Sequence, residues 1–163
     1  FFEFDIRQAV KLQEVFKMSK SIGRIVTLLS RSIYNDLRDV VEPFGITVGE
    51  EPYFVELAHE DGLTQDELSN RVNVDKSATA RAVKSLEAKG YIVRETDLFD
   101  KRNKRLYLTE SAKTVYVSLI EALGEYNRQL TEEWTDEQYD LVYESLEILQ
   151  LKLERKKDMP HQA

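Results

Sequence analysis

Four of the five residues from 101 to 105 are cationic, namely Lys101, Arg102, Lys104 and Arg105, within the polar stretch DLFDKRNKRLYLT. A second basic set, Lys76, Arg81 and Lys84, lies upstream, with Ser77 and Ala78 beside its first member. Ammonium and guanidinium groups neutralise phosphates, and guanidinium adds a planar fork of donors that fits paired acceptors. The whole chain carries −7, yet residues 76–105 hold nine cations against four anions. A basic segment in an acidic frame binds a polyanion while the frame discourages wrong contacts. The plainer reading of such a charge run is a solvated loop.

Other chemistries fare worse. There is no cysteine, which excludes disulfides, thiolate catalysis and thiol redox sensing. His59 has no second His or Cys near it in sequence, so no metal and no cofactor are expected. Paired carboxylates at Glu50/Glu51, Glu60/Asp61, Asp66/Glu67, Glu132/Glu133 and Asp136/Glu137 fall mostly in expected first helical turns. The helix dipole is reason enough for them there, and an enzyme is the least favoured reading. The longest apolar runs fall far short of the roughly 20 residues needed to cross a bilayer. The start, FFEFDIRQAVKLQEVFK, lacks the basic-then-apolar order of a signal peptide. A cytoplasmic protein without a membrane partner is expected.

The elements that must position the basic side chains follow from periodicity. Apolar residues at 22, 25, 26, 29, 33, 37, 40, 41 and 44 predict a long helix ended by Pro43 and Gly45. A helix starting near Glu50 and Glu51 is expected to stop at Gly62. Thr64 and Glu67 have capping-box spacing and open a short helix with Leu68 and Val72 inward. After the break NVD, Asp75 caps a helix from Lys76 to Lys89, with Thr79, Ala82, Val83 and Leu86 inward. YIVRET and RLYLT alternate as strands, with the basic loop as the hairpin tip. Two long helices follow, the second opened by Thr135 and Gln138. Its two apolar stripes, one through Val142, Leu146 and Leu149 and one through Leu141, Ile148 and Leu151, predict packing against its own domain and against another chain.

The order helix, break, helix, strand, basic loop, strand is that of a winged helix-turn-helix. The fold class is mainly α with a small antiparallel β-hairpin, the winged core being flanked by long dimerisation helices. The expected divisions are an N-terminal extension over 1–19, with no role assigned, and a dimerisation helix over 20–45. The DNA-binding domain covers 46–110, dimerisation helices cover 111–157, and 158–163 is a frayed tail. In such a fold the start of the second helix meets base edges in the major groove. Lys76, Ser77, Ala78 and Arg81 occupy those positions, with Lys84 toward phosphate and Thr64 at the start of the preceding helix. Arg102 is the candidate for the minor groove, Lys101 and Lys104 for phosphates. Asp100 is expected to orient Arg102, and also Arg94; Arg105, on the returning strand, is read as solvated.

Residues 63–109 resemble the MarR family of bacterial winged-helix regulators. LTQDEL, ARAVKSLEAKGYIVRE and the wing DKRNKRLYLT carry the likeness, which extends over about residues 20–157. The resemblance implies a homodimer of interleaved terminal helices on a palindromic site in double-stranded DNA. It implies repression released by a small aromatic or lipophilic effector, and Asp100 and Arg102 as the paired wing residues. Tyr34, Phe44 and Tyr53 are candidate lining of the effector cleft. A winged-helix interaction module that does not read DNA is the alternative.

Overall fold

The computed structural model describes residues 21–97 and 100–157. The expectations for 1–19 and 158–163, and for Leu98 and Phe99 inside the wing, lie outside the described residues. The chain divides into two compact units, Phe1–Ile120 and Glu121–Ala163. The boundary falls inside a helix.

In the first unit α1 spans Ile22–Val41, started by the Ser21 hydroxyl accepting from the Arg24 N–H. The 3-10 turn Glu42–Phe44 follows, because Pro43 has no N–H to continue the ladder. Helix α2 is Glu51–His59. It stops before Gly62, which has another task. Gly62 sits at φ +81°, donates its N–H to Leu106 O at 2.8 Å, and would place an added Cβ 3.2 Å from the Tyr107 ring. Only glycine meets both demands.

Strand β1 (Leu63–Thr64), α3 (Gln65–Val72), α4 (Lys76–Ala88), β2 (Ile92–Thr96) and β3 (Lys104–Leu108) complete the winged part. The expected hairpin is present, but it belongs to a three-stranded antiparallel sheet in the order β1-β3-β2. Leu63 lies opposite Leu106, and Arg94 lies opposite Leu106 on its other side. The core is built from Phe54, Leu57, Leu68, Val83, Leu86, Ile92 and Leu106, each 1 % exposed or less. The inward face expected for α4 is the one buried: Thr79, Ala82, Val83 and Leu86. Helix α5 (Glu110–Leu130) starts at Thr109, whose hydroxyl accepts the Ala112 N–H, and buries Ala112 and Leu119.

The second unit holds the end of α5 and α6 (Asp136–Lys157). The Thr135–Gln138 box forms, with reciprocal bonds of 3.0 and 3.3 Å. No described side chain of α6 is buried, and Leu141, Leu146, Ile148, Leu151 and Leu153 are about half exposed or more. Of the two predicted stripes, Leu149 is half-buried and Leu141, Val142, Leu146, Ile148 and Leu151 are exposed. Ile22, Ile25 and Leu29 of α1 are open in the same way. Apolar area of this kind on a water-facing surface marks a binding face. No helix of the described residues is long and apolar enough to cross a membrane.

Candidate nucleic-acid interface

The turn between α3 and α4 is fixed from both sides. The buried Ser69 hydroxyl donates to Val74 O at 2.7 Å, while Ser69 O accepts the Val74 N–H at 3.2 Å. Asn73 takes the left-handed conformation (φ 56°), the only non-glycine to do so among the described residues. Asp75 then caps α4 by accepting the N–H groups of Ser77 and Ala78 at 3.0 and 2.9 Å. This fixes which side chains face out: Lys76, Ser77, Arg81 and Lys84 are exposed and Ala78 is half-buried. Lys76 is not free, because its ammonium lies 2.7 Å from the Asp66 carboxylate on α3. The Thr64 hydroxyl is also engaged, since it and Glu67 complete the capping box. These two members of the expected contact set, both in the helix-turn-helix, therefore already have partners within the chain.

The wing corrects several expectations. Asp100 accepts from the backbone N–H of Arg102 (3.0 Å) and from Asn103 Nδ2 (3.2 Å), so it shapes the turn rather than holding the Arg102 guanidinium. Arg94 is not its partner: Arg94 Nε donates to Glu87 on α4 at 3.0 Å, and Nη1 reaches Gln65 at 3.5 Å. Chain order explains this, because β2 follows α4 after a short turn that returns Arg94 beside Glu87. Lys104 donates to the Thr96 hydroxyl opposite it in the ladder. Arg105 is not merely solvated, for it pairs with the buried Asp97 and donates to Gly62 O at 2.7 Å. Hydrogen bonding to Asp97 raises its pKa further above the ordinary guanidinium value. Among the described residues, Arg81, Lys84, Lys101 and the Arg102 guanidinium have no acidic or hydrogen-bonding partner.

The MarR family model matches residues 44–103. The crystal structure of a MarR transcriptional regulator from Methanosarcina mazei Go1 is 32% identical. The alignment covers 82% of this chain and 96% of that one, with a TM-score of 0.75. The chain belongs to the MarR family. It is a DNA-binding transcriptional regulator. A Bacillus subtilis (strain 168) HTH-type transcriptional regulator, YybA, is 27% identical over 145 residues, spanning 88% of this chain and 91% of the relative. The fold also matches a MarR family regulator from Listeria monocytogenes complexed with 26mer DNA, at 21% identity, TM-score 0.77, and coverage of 88% and 99%. These relatives are regulators rather than enzymes.

Within this MarR chain, ion pairs brace α3 and α4. Glu50, 5 % exposed, holds Lys89 at the end of α4 with N–O 2.5 Å and accepts the Thr47 N–H at 2.8 Å. Burial pushes its carboxyl up, but hydrogen bonds from Lys89, Ser85 and Thr47 outweigh that and leave it below its ordinary value. Its neighbour Glu51 is pushed up by burial. The two adjacent carboxylates differ because only Glu50 has these donors. Arg71 on α3 clasps Glu56 of α2 and Glu60 just beyond its end, at 2.9 and 2.5 Å. The aromatic candidates do not share one cleft. Tyr34 lines a groove on α1 with Ser30, Arg31 and Asn35, whereas Tyr53 lines another of about 480 Å³ with Ala78, Arg81 and Ser85. Phe44 offers its carbonyl to the Tyr91 hydroxyl at 2.6 Å. His59 packs edge-on against Tyr116, and no cluster of three or more potential metal ligands occurs among the described residues.

Proposed function

We propose that the protein acts in the cytoplasm as a homodimeric repressor. It would set α4 into the major groove and the wing, residues 97–105, into the flanking minor groove, at each half of a palindromic site. The observation that carries this reading is how the cations of residues 76–105 sort themselves. Lys76, Lys89, Arg94 and Arg105 are spent on ion pairs, and Lys104 on a hydroxyl. Those without a partner among the described residues are two on α4, Arg81 and Lys84, and two on the wing, Lys101 and Arg102. Arg81 has the donor fork for a guanine edge, which discriminates by roughly 1–3 kcal/mol. Lys84 and Lys101 suit phosphates, and Arg102 suits a narrow A·T-rich minor groove. Ser77 and the Ala78 methyl complete the base-facing set.

The open apolar faces of α1 and α6 support dimerisation, and a two-fold dimer places its half-sites about 34–36 Å apart. Because Arg81 lines the groove beside Tyr53, an aromatic or lipophilic effector bound there would compete with DNA for it; this is the release mechanism we favour. Selection of bound sequences from random DNA tests the reading, with the wild type and Arg81→Ala in parallel. An inverted repeat should emerge, bound about 5- to 150-fold less tightly by the variant. Affinity should fall by about 0.9 log unit per log unit of salt for each phosphate contacted. Absence of salt-sensitive binding, or an unchanged Arg81→Ala profile, would favour the interaction module instead.

A further inference from the structure

A run of short hydrogen bonds crosses the base of the wing. Arg105 on β3 donates from Nη1 to Gly62 O at 2.7 Å and from Nε to the Asp97 carboxylate. Asp97 accepts the Asp100 N–H at 3.0 Å and gives its own N–H to Asn103 O at 3.0 Å. Asp100 accepts the Arg102 N–H at 3.0 Å. Gly62 directly precedes β1, which runs into α3. The entry to the helix-turn-helix is thereby joined to the backbone of Arg102.

We propose that Arg105 and Asp97 are positioning residues that hold the wing at a fixed offset from α4, and so govern DNA affinity without touching DNA. This rests on the reading that the wing reaches DNA. The Arg105 guanidinium is committed to acceptors inside the chain and is a poor candidate for phosphate. Asp97 is 6 % exposed, and a carboxylate taken out of water is tolerated only when paired and hydrogen-bonded. Its partners reach it from the returning strand (Arg105) and from the wing turn (Asp100, Asn103), which is the arrangement of a brace. A second brace works at the other edge, where Arg94 ties β2 to Glu87 and Gln65.

Electrostatics and positioning predict opposite signs. An anion beside a DNA-binding surface repels phosphate, so by charge alone Asp97→Asn tightens binding. If Asp97 braces the wing, the same change weakens it. The test compares Asp97→Asn, Arg102→Ala and the double variant by fluorescence anisotropy on the selected site, once with A·T-rich and once with G·C-rich flanks. Melting curves accompany each protein. The expected result is a loss of about tenfold or more for Asp97→Asn, the scale of one charge-assisted hydrogen bond. That loss should be larger on A·T-rich flanks, and the double variant should be no weaker than Arg102→Ala by more than about twofold, as expected of coupled sites.

Tighter or unchanged binding by Asp97→Asn, with Arg102→Ala weakened, overturns the inference and leaves the wing reading standing. Wild-type binding by Arg102→Ala overturns both. Should Asp97→Asn melt too low to assay, Arg105→Lys decides, since it keeps the charge but loses the fork that spans Gly62 O and Asp97. Weakened binding by Arg105→Lys supports the brace, and wild-type affinity overturns it.

Discussion

Replacing Asp66 with Asn should strengthen DNA binding, although Asp66 is on α3 and not on α4, the helix proposed to enter the major groove. Its carboxylate holds the Lys76 ammonium at 2.7 Å, with the two side chains 63% and 69% exposed. A pair this open is worth about 0.2–1 kcal/mol, so Lys76, spent on Asp66 in the free chain, can exchange that partner for a phosphate at this cost on binding. Removing the partner returns that amount to binding, a gain of about 1.4- to 5-fold at 1.4 kcal/mol per decade. Loss of an anion near phosphates adds in the same direction, over about one Debye length of ~8 Å at physiological salt. Asp66 also lies in the first turn of α3, where a carboxylate is worth about 0.3–1 kcal/mol to the helix. That cost falls equally on free and bound protein and cancels from the affinity. Anisotropy titrations at low and high salt measure the effect, which should shrink as salt rises. In a Lys76→Ala background the short-range gain should vanish. Unchanged or weaker binding by a normally melting Asp66→Asn protein would refute the reasoning.

Three further outcomes follow from the same geometry. Ser69→Ala removes the donor to Val74 O in the turn and should cost about 1–2 kcal/mol, read as a lower melting temperature; unaltered melting would mean the turn does not depend on this bond. Glu50 titrates below its ordinary value when folded, so its contribution is present at neutral pH and disappears as pH falls from the ordinary carboxylate range through that lowered value. Glu50→Gln should be less stable at neutral pH and lose less stability on acidification, and denaturation midpoints that run parallel with pH would contradict this. Leu146→Asp together with Ile148→Asp puts charge on both open stripes of α6. Sedimentation should then show monomers that bind DNA poorly, and a dimer that persists would exclude α6 from the interface.

The legible parts of the sequence were the local ones. The Thr64–Glu67 and Thr135–Gln138 boxes and the Asp75 cap form as read, because capping depends on residues three apart or nearer. The inward face of α4 followed from its period. Strand β1 was not legible, since two residues carry no alternation. The Arg105–Asp97 pair was missed for a different reason. Its members are eight residues apart across a hairpin, and only the register that sets Thr96 opposite Lys104 brings them together. From sequence Asp100 is a candidate partner for Arg94, whereas the fold gives Arg94 the Glu87 carboxylate. The aromatic trio is picked out by residue type, which alone does not say which groove a ring faces.

Leu106 is registered against Leu63 on one side and Arg94 on the other, so a single residue of β3 indexes the helix-turn-helix and the wing together. A caliper with locked jaws measures one gap. For the docking proposed above, a span held in this way between the two reading points would leave the compliance to the duplex. Base steps that kink cheaply between those points, such as TA or CA/TG, then lower the cost of fitting even where no side chain touches them. Part of the operator's sequence preference would be written in stiffness, at positions that a contact map leaves blank.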